Sequence, residues 1–291
     1  MNKDLLEKII EKLKIHFADE ITTGNIQRVY GGDINETYLL STSAGKYFIK
    51  TNDHAANDMF EKEFNGLLLL KQTNSIAVPS PLLFGESNGT LFLAMECIEK
   101  GKPAADFWKQ FATHLAALHR QTQQKFGLHE SNYIGSLKQQ NNYCDSWAAF
   151  YSTQRILPLM QRAFDENKCT KHDLLLTEKL CSKFNELFPK EPPSLLHGDL
   201  WSGNFMVNEN GLPVVYDSAV YYGLREIDIA MTLLFGGFDQ KIYQYYNELV
   251  PLEKGWQQRI ELCQLYPLLV HLLLFGGHYY YSVVEIVKKY S

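Results

Sequence analysis

LLHGDLWSGNFMV, residues 195–207, sets Asp199 and Asn204 between two apolar runs, with a glycine beside each. Apolar flanks of this kind anchor a segment in a protein interior, and the glycines let the backbone between them turn sharply. Two polar side chains five positions apart can then face one side of the turn. The competing reading is an ordinary glycine turn whose Asp and Asn bond only their own backbone.

The spacing H-x-D-x-x-x-x-N is that of the catalytic loop of protein kinases, where the aspartate accepts the substrate hydroxyl proton and the asparagine binds Mg²⁺. Asp199 is accordingly the candidate base and Asn204 a candidate metal ligand. Downstream, VVYDSA ends a short apolar run on Asp217. ATP is a polyanion, and a carboxylate has reason to approach it only through bound cations. Asp217 is therefore the second candidate ligand for Mg²⁺.

Upstream, FIK places Lys50 at the end of an apolar strand, and the helical EKEF places Glu63 thirteen residues later. A strand lysine that contacts nucleotide phosphates needs a carboxylate to fix it. Glu61 competes for this role, but Glu63 lies one helical turn before Gly66 and Leu67 and is preferred. In VYGGDINETY (29–38), Gly31 and Gly32 let the backbone close over phosphates, although the stretch is not G-x-G-x-x-G. LFLAMECIE ends the strand-rich part, where the Glu96 carbonyl and the Ile98 amide could face adenine, with Met95 beside the ring.

Residues 20–50 read as strands, DMFEKEFNGLLLLKQ as a helix, and PSPLLFGESNGTLFLAMECIE as strands joined by a hairpin turn at SNG. From about Asp106 the pattern is mostly helical, broken by the quoted loop and by LPVVYDSAVYY, which reads as a hairpin-like pair. The fold class expected is α+β and bilobal, with a small antiparallel N-lobe over residues 1–98 and a larger helical C-lobe over 99–291. Nucleotide would bind between the lobes. LFGGF (234–238) and LFGGH (274–278) have unmatched flanks, so the glycines read as stops for two buried helices.

Of 291 residues, 33 are acidic and 28 basic, for a net charge of −5, and no basic run occurs. That argues against nucleic acid and anionic membrane as partners. The five cysteines (97, 144, 169, 181, 263) are scattered without metal-ligand spacing, as expected of reduced thiols in the cytoplasm. MNKDLLEKIIEKLKIHF carries an amphipathic stripe and lacks the apolar core of a signal peptide. LYPLLVHLLLFGG is too short and interrupted for a membrane span. A monomer is expected.

These residues closely resemble the fructosamine kinase (ketosamine-3-kinase) family, a branch of the kinase-like fold near the aminoglycoside phosphotransferases. The most specific stretches are LLHGDLWSGN, YYGLREIDIAMTLLFGGF and KFGLHESNYIGSLKQQNNYCDSWAAFYSTQRILPLM. The resemblance implies an ATP- and Mg²⁺-dependent kinase that phosphorylates the third-carbon hydroxyl of ketoamines, free or protein-bound, and so promotes deglycation. It implies that Asp199 is the base, Asn204 and Asp217 the metal ligands, and Lys50 with Glu63 the phosphate-binding pair. Asp228, in REIDIAM, would brace the catalytic loop. Trp201 would be either an aromatic wall for the ketoamine sugar or a core residue gluing the loop down. Two positions depart from the family: Ser218 stands where it commonly has proline, and Asp33 where some relatives have a cysteine. Another small-molecule kinase, of the aminoglycoside or choline type, is the alternative activity, and a catalytically dead nucleotide-binding module the alternative class.

Overall fold

The computed structural model describes residues 1–29 and 35–291; Gly31, Gly32 and Asp33 lie outside the described residues. The chain forms two compact units: Met1–Ala104 with Met206–Tyr216, and Ala105–Phe205 with Asp217–Ser291. The first is built on a five-stranded antiparallel sheet of order β1-β2-β3-β5-β4. Its elements are α1 (Lys3–Phe17), β1 (Thr23–Val29), β2 (Glu36–Thr42), β3 (Gly45–Asn52), α2 (Met59–Gln72), β4 (Pro81–Ser87) and β5 (Thr90–Glu96).

Helix α1 starts where the Asn2 side chain accepts a hydrogen bond from the Leu5 amide (2.8 Å), satisfying one of the four donors a helix start leaves open. Its stripe Leu5, Ile9, Ile10 and Leu13 packs with Tyr38, Leu40, Tyr47, Ile49, Phe92 and Ala94 of the sheet. Strand side chains alternate faces, so Lys50 points away from the cluster that holds Ile49. At the β4–β5 turn both Asn88 (φ 51°) and Gly89 (φ 83°) take the left-handed backbone that a tight hairpin requires.

The second unit is mainly helical: α3 (Phe107–His119), β6 (Asn132–Ile134), β7 (Leu137–Gln139), α4 (Trp147–Phe150), α5 (Leu157–Asp165), α6 (Lys171–Ser182), α7 (Phe184–Leu187) and β8 (Ser194–Leu196) come first. Next, β9 (Phe205–Val207) and β10 (Pro213–Val215) pair as a small hairpin, most of which belongs to the first unit. The chain ends with β11 (Tyr221–Gly223), α8 (Glu226–Leu234), α9 (Lys241–Leu249), α10 (Trp256–Phe275) and α11 (Tyr279–Tyr290).

Two sequence expectations are corrected here. LPVVYDSAVYY is not a hairpin: β10 pairs with β9, and β11 pairs with β8. Asp217, between them, adopts φ 57° and turns the chain away before the two strands could meet. The stretch after Asp106 also contains the β6–β7 hairpin, which closes through Gly135 at φ 57°.

The apolar segment near residue 270 is the second half of α10. Pro267 within it removes the amide that would bond Cys263 O. The Tyr151 hydroxyl donates there instead, at 3.2 Å, and to Leu262 O at 2.7 Å. Among the described residues no helix is long and apolar enough to cross a membrane. All five cysteines are free. Helices α8 and α10 end just before Gly236-Gly237 and Gly276-Gly277, each at positive φ.

Candidate active site

In the second unit, the loop after β8 bears the two residues quoted at the outset. Gly198 takes φ 83°, and a Cβ there would lie 2.1 Å from Ala219 O, so only glycine lets the loop close against the segment after Asp217. The turn from Asp199 to Asn204 is held by Trp201 N–H donating to Asp199 O (3.1 Å) and Asn204 N–H to Trp201 O (3.0 Å).

Asn204, which is buried, donates from Nδ2 to both Asp199 O and Asp199 Oδ2 at 2.9 Å, and more weakly to Asp217 O at 3.4 Å. The backbone bonds are those of a glycine turn, and the side-chain contact to Asp199 Oδ2 is added to them. With the amide nitrogen committed to Asp199, the amide oxygen is the atom left to accept a hydrogen bond or bind a cation. Asp217 follows β10, exposed, in a left-handed conformation that asparagine and aspartate tolerate better than most residues. An amide oxygen and a carboxylate are hard oxygen donors, which suits Mg²⁺, an ion that takes its other positions from phosphate and water. Among the described residues there is no cluster of three or more His, Cys, Asp or Glu that could hold a metal by itself.

Burial pushes the Asp199 carboxyl up to about 7; the Asn204 hydrogen bond opposes this, while the charges of Asp217 and Asp228 add to it. A carboxyl with a pKa near neutrality can act as a general base.

Asp228, on the first turn of α8 and fully buried, supports the loop from below. It accepts from the His197 amide (Oδ2, 2.7 Å), the Gly198 amide (Oδ1, 2.9 Å) and His119 Nε2 (Oδ2, 3.2 Å). The Tyr246 hydroxyl holds the other nitrogen of His119 at 2.7 Å. Burial alone would raise the Asp228 carboxyl, but the His119 hydrogen bond, with the Gly198 amide, keeps it below its ordinary value. Sequence reading missed His119 and Tyr246, since neither lies near the loop in the chain. It also passed over His197, whose Nδ1 accepts from the Asp199 amide (3.3 Å); the H-x-D pattern itself was the signal.

Trp201 is 36% exposed. Its indole folds over Gly203, where a Cβ would sit 2.2 Å from the ring, and meets Phe235 edge-on at 5.9 Å. Ser218 Oγ is buried without a hydrogen-bond partner.

In the first unit, Lys50 Nζ on β3 and Glu63 Oε1 on α2 form a part-buried ion pair of 2.6 Å. Glu63 shares a face of α2 with Gly66, Leu67 and Leu70, all buried, whereas Glu61 is exposed. Met95 is buried at the end of β5, opposite Phe48. The Glu96 carboxylate accepts from Ser80 N–H (3.1 Å) and Oγ–H (2.7 Å). Ile98 lies in a connector, residues 97–99, outside regular secondary structure. Just beyond it Gly101 N–H donates to Val207 O (3.0 Å), so the β9–β10 hairpin backs the connector.

An Asp–Asn loop braced by a buried aspartate, a following aspartate and a strand lysine paired to a helix glutamate, carried on this fold, define a phosphotransferase with a kinase-like fold. Comparison with known proteins gives the family. The sequence pattern of the fructosamine kinases matches residues 5–291. A probable ketoamine kinase of Enterococcus faecium is 36% identical over 291 residues, spanning 98% of this chain and 99% of that one. A crystal structure from Haemophilus somnus 129PT, described as a candidate fructosamine-3-kinase, superposes with a TM-score of 0.88 at 31% identity, covering 97% of this chain and 96% of that chain. An aminoglycoside phosphotransferase, APH(4)-Ia, solved as a ternary complex with ADP and hygromycin B, shares the fold at a TM-score of 0.64 and 16% identity, covering 97% and 98%. The chain belongs to the fructosamine kinase family and is a phosphotransferase acting on a hydroxyl group.

Proposed function

We propose that this chain is an ATP-dependent kinase of ketoamines, fructosamines or ribulosamines, that phosphorylates the hydroxyl on the third sugar carbon and so promotes release of the amine. The observation that carries the reading is Asp199: a buried carboxylate hydrogen-bonded by Asn204 at 2.9 Å, on a loop braced by Asp228. Family membership supplies the substrate class.

In this account Asp199 orients the sugar hydroxyl and takes its proton as the oxygen attacks. Lys50, fixed by Glu63, aligns nucleotide phosphates, a role in which Gly31 and Gly32 are proposed to take part. The Glu96 carbonyl and Ile98 amide hold adenine, with Met95 beside the ring. Asn204 Oδ1 and the Asp217 carboxylate would hold Mg²⁺, which neutralises charge on the phosphates when bound. Trp201 offers a wall to the sugar. Most of the acceleration comes from positioning and charge neutralisation, with general-base help worth about 10²–10⁴. We place the enzyme in the cytoplasm, as a monomer.

A substrate panel tests the reading. Fructosyl-lysine and ribulosyl-lysine are assayed for ATP-dependent phosphorylation beside an aminoglycoside, choline and free sugars. Turnover of ketoamines above all others is expected. Preference for one of the other compounds would transfer the chain to that activity, and no ATP consumption with any of them would reduce it to a binding module.

A further inference from the structure

Beyond Trp201 the aromatic surface does not stop. Phe235 packs at 5.0 Å on His271, and His271 packs at 5.5 Å on Phe275 and 5.0 Å on Tyr279. Phe235 is 40% and Phe275 52% exposed. Exposed rings joined through the half-buried His271 and Tyr279 form a larger apolar surface than scattered single residues do, the kind that marks a contact site. These rings are placed by the two Phe-Gly-Gly segments, Phe235-Gly236-Gly237 and Phe275-Gly276-Gly277, at the ends of α8 and α10. A Cβ at Gly237 would lie 2.4 Å from Ser202 Cβ, so the first segment rests directly against the catalytic loop.

We infer that Phe235, Phe275 and Tyr279, joined through His271, form a subsite for the protonated secondary amine of a ketoamine and the carbon chain beyond it. The inference rests on the ketoamine reading above. A ketoamine's nitrogen is three bonds from the carbon whose hydroxyl must reach Asp199. With the sugar against Trp201, the nitrogen emerges toward the next ring, Phe235. An alkylamine nitrogen is charged at neutral pH, and a cation lying on aromatic faces is favoured by the ring quadrupole. His271 does not oppose this. Its Nδ1–H donates to Pro267 O at 2.7 Å, and burial holds its pKa below the ordinary value, only partly offset by that bond. The surface thus presents neutral rings, with apolar area for the methylenes of a lysine-like carrier.

The test uses Phe235→Leu, Phe275→Leu and the double variant, which keep apolar bulk and remove the π faces. KM is measured for Nε-fructosyl-lysine and Nε-ribulosyl-lysine, and for an ether analogue with oxygen in place of the amine nitrogen. KM for the amines should rise roughly 2- to 30-fold, with KM for the ether and for ATP unmoved; an unchanged ATP KM also reports intact folding. Phe235→Tyr should restore the wild-type KM. If the wild type turns over ketoamines but the leucine variants keep its KM, or weaken amine and ether alike, the subsite is overturned while the activity stands. If the wild type phosphorylates no ketoamine, the functional reading fails and the subsite with it.

Discussion

Replacing Asp228 by asparagine changes one buried oxygen into an amide nitrogen and removes a charge. Both oxygens are in use: Oδ2 by the His197 amide and His119 Nε2, Oδ1 by the Gly198 amide. An asparagine can accept on one side only, so at least one backbone N–H at the head of the catalytic loop meets another donor. Hydrogen bonds to a charged group are worth about 1.5–3 kcal/mol, and an unpaired buried donor costs about 1–3 kcal/mol. The expected loss is about 3–5 kcal/mol, the range for breaking a buried charged contact, or a Tm lower by roughly 5–8 °C at this size. Because the displaced amides immediately precede Asp199, kcat should fall as well, although Asp228 touches no substrate. Thermal unfolding and steady-state kinetics at saturating ATP measure both. A Tm within about 2 °C of wild type, with normal kcat, would refute the bracing role.

Asp217→Ala should weaken binding of Mg·ATP and also lower kcat, since it deletes a charge proposed to hold the cation; isothermal titration with Mg·ATP checks the first, and unaltered affinity contradicts the proposed ligand. The pH dependence of stability follows from Asp199. Its folded pKa, about 7, lies above the unfolded value of 3.8, so the stability it contributes is complete below about pH 4 and is lost as pH rises through 7. Asp199→Asn should therefore gain stability relative to wild type more at pH 8 than at pH 5, by an amount on the order of 2–4 kcal/mol, read by urea unfolding at both pH values; a pH-independent difference would count against the raised pKa. Ser218→Ala removes a buried hydroxyl that has no partner and should stabilise by up to about 1 kcal/mol, read as a rise in urea midpoint; a marked drop would mean the hydroxyl is in use.

Much of the first unit was legible because its signals are local. The α1 stripe repeats at helical spacing, Ser-Asn-Gly dictates a hairpin, and Glu63 rather than Glu61 shares the buried face of α2. The Asp–Asn pair was legible for the same reason: five residues and two glycines fix where both side chains go. What escaped notice depends on distant chain segments. Nothing local tells β10 to pair with β9 or β11 with β8, and the decisive event is a single left-handed residue, Asp217. His119 reaches Asp228 across 109 positions, and Tyr151 completes the Pro267 break across more than a hundred. Helical spacing after Asp106 also hid the β6–β7 hairpin, whose strands are three residues each. The aromatic run from Trp201 to Tyr279 gathers rings from three separate stretches; the Phe-Gly-Gly repeats were visible as helix stops, but not as neighbours.

Single-turnover phosphorylation of a ketoamine by wild type and by Asp199→Asn, with nucleotide affinity measured on the same preparations, addresses the assigned base most directly. The arrangement of Asp199, Asn204 and Asp228 predicts a rate lower by about 10²–10⁴ with ATP bound as tightly as before. Phosphoryl transfer at close to the wild-type rate would remove Asp199 from the chemistry and contradict the account.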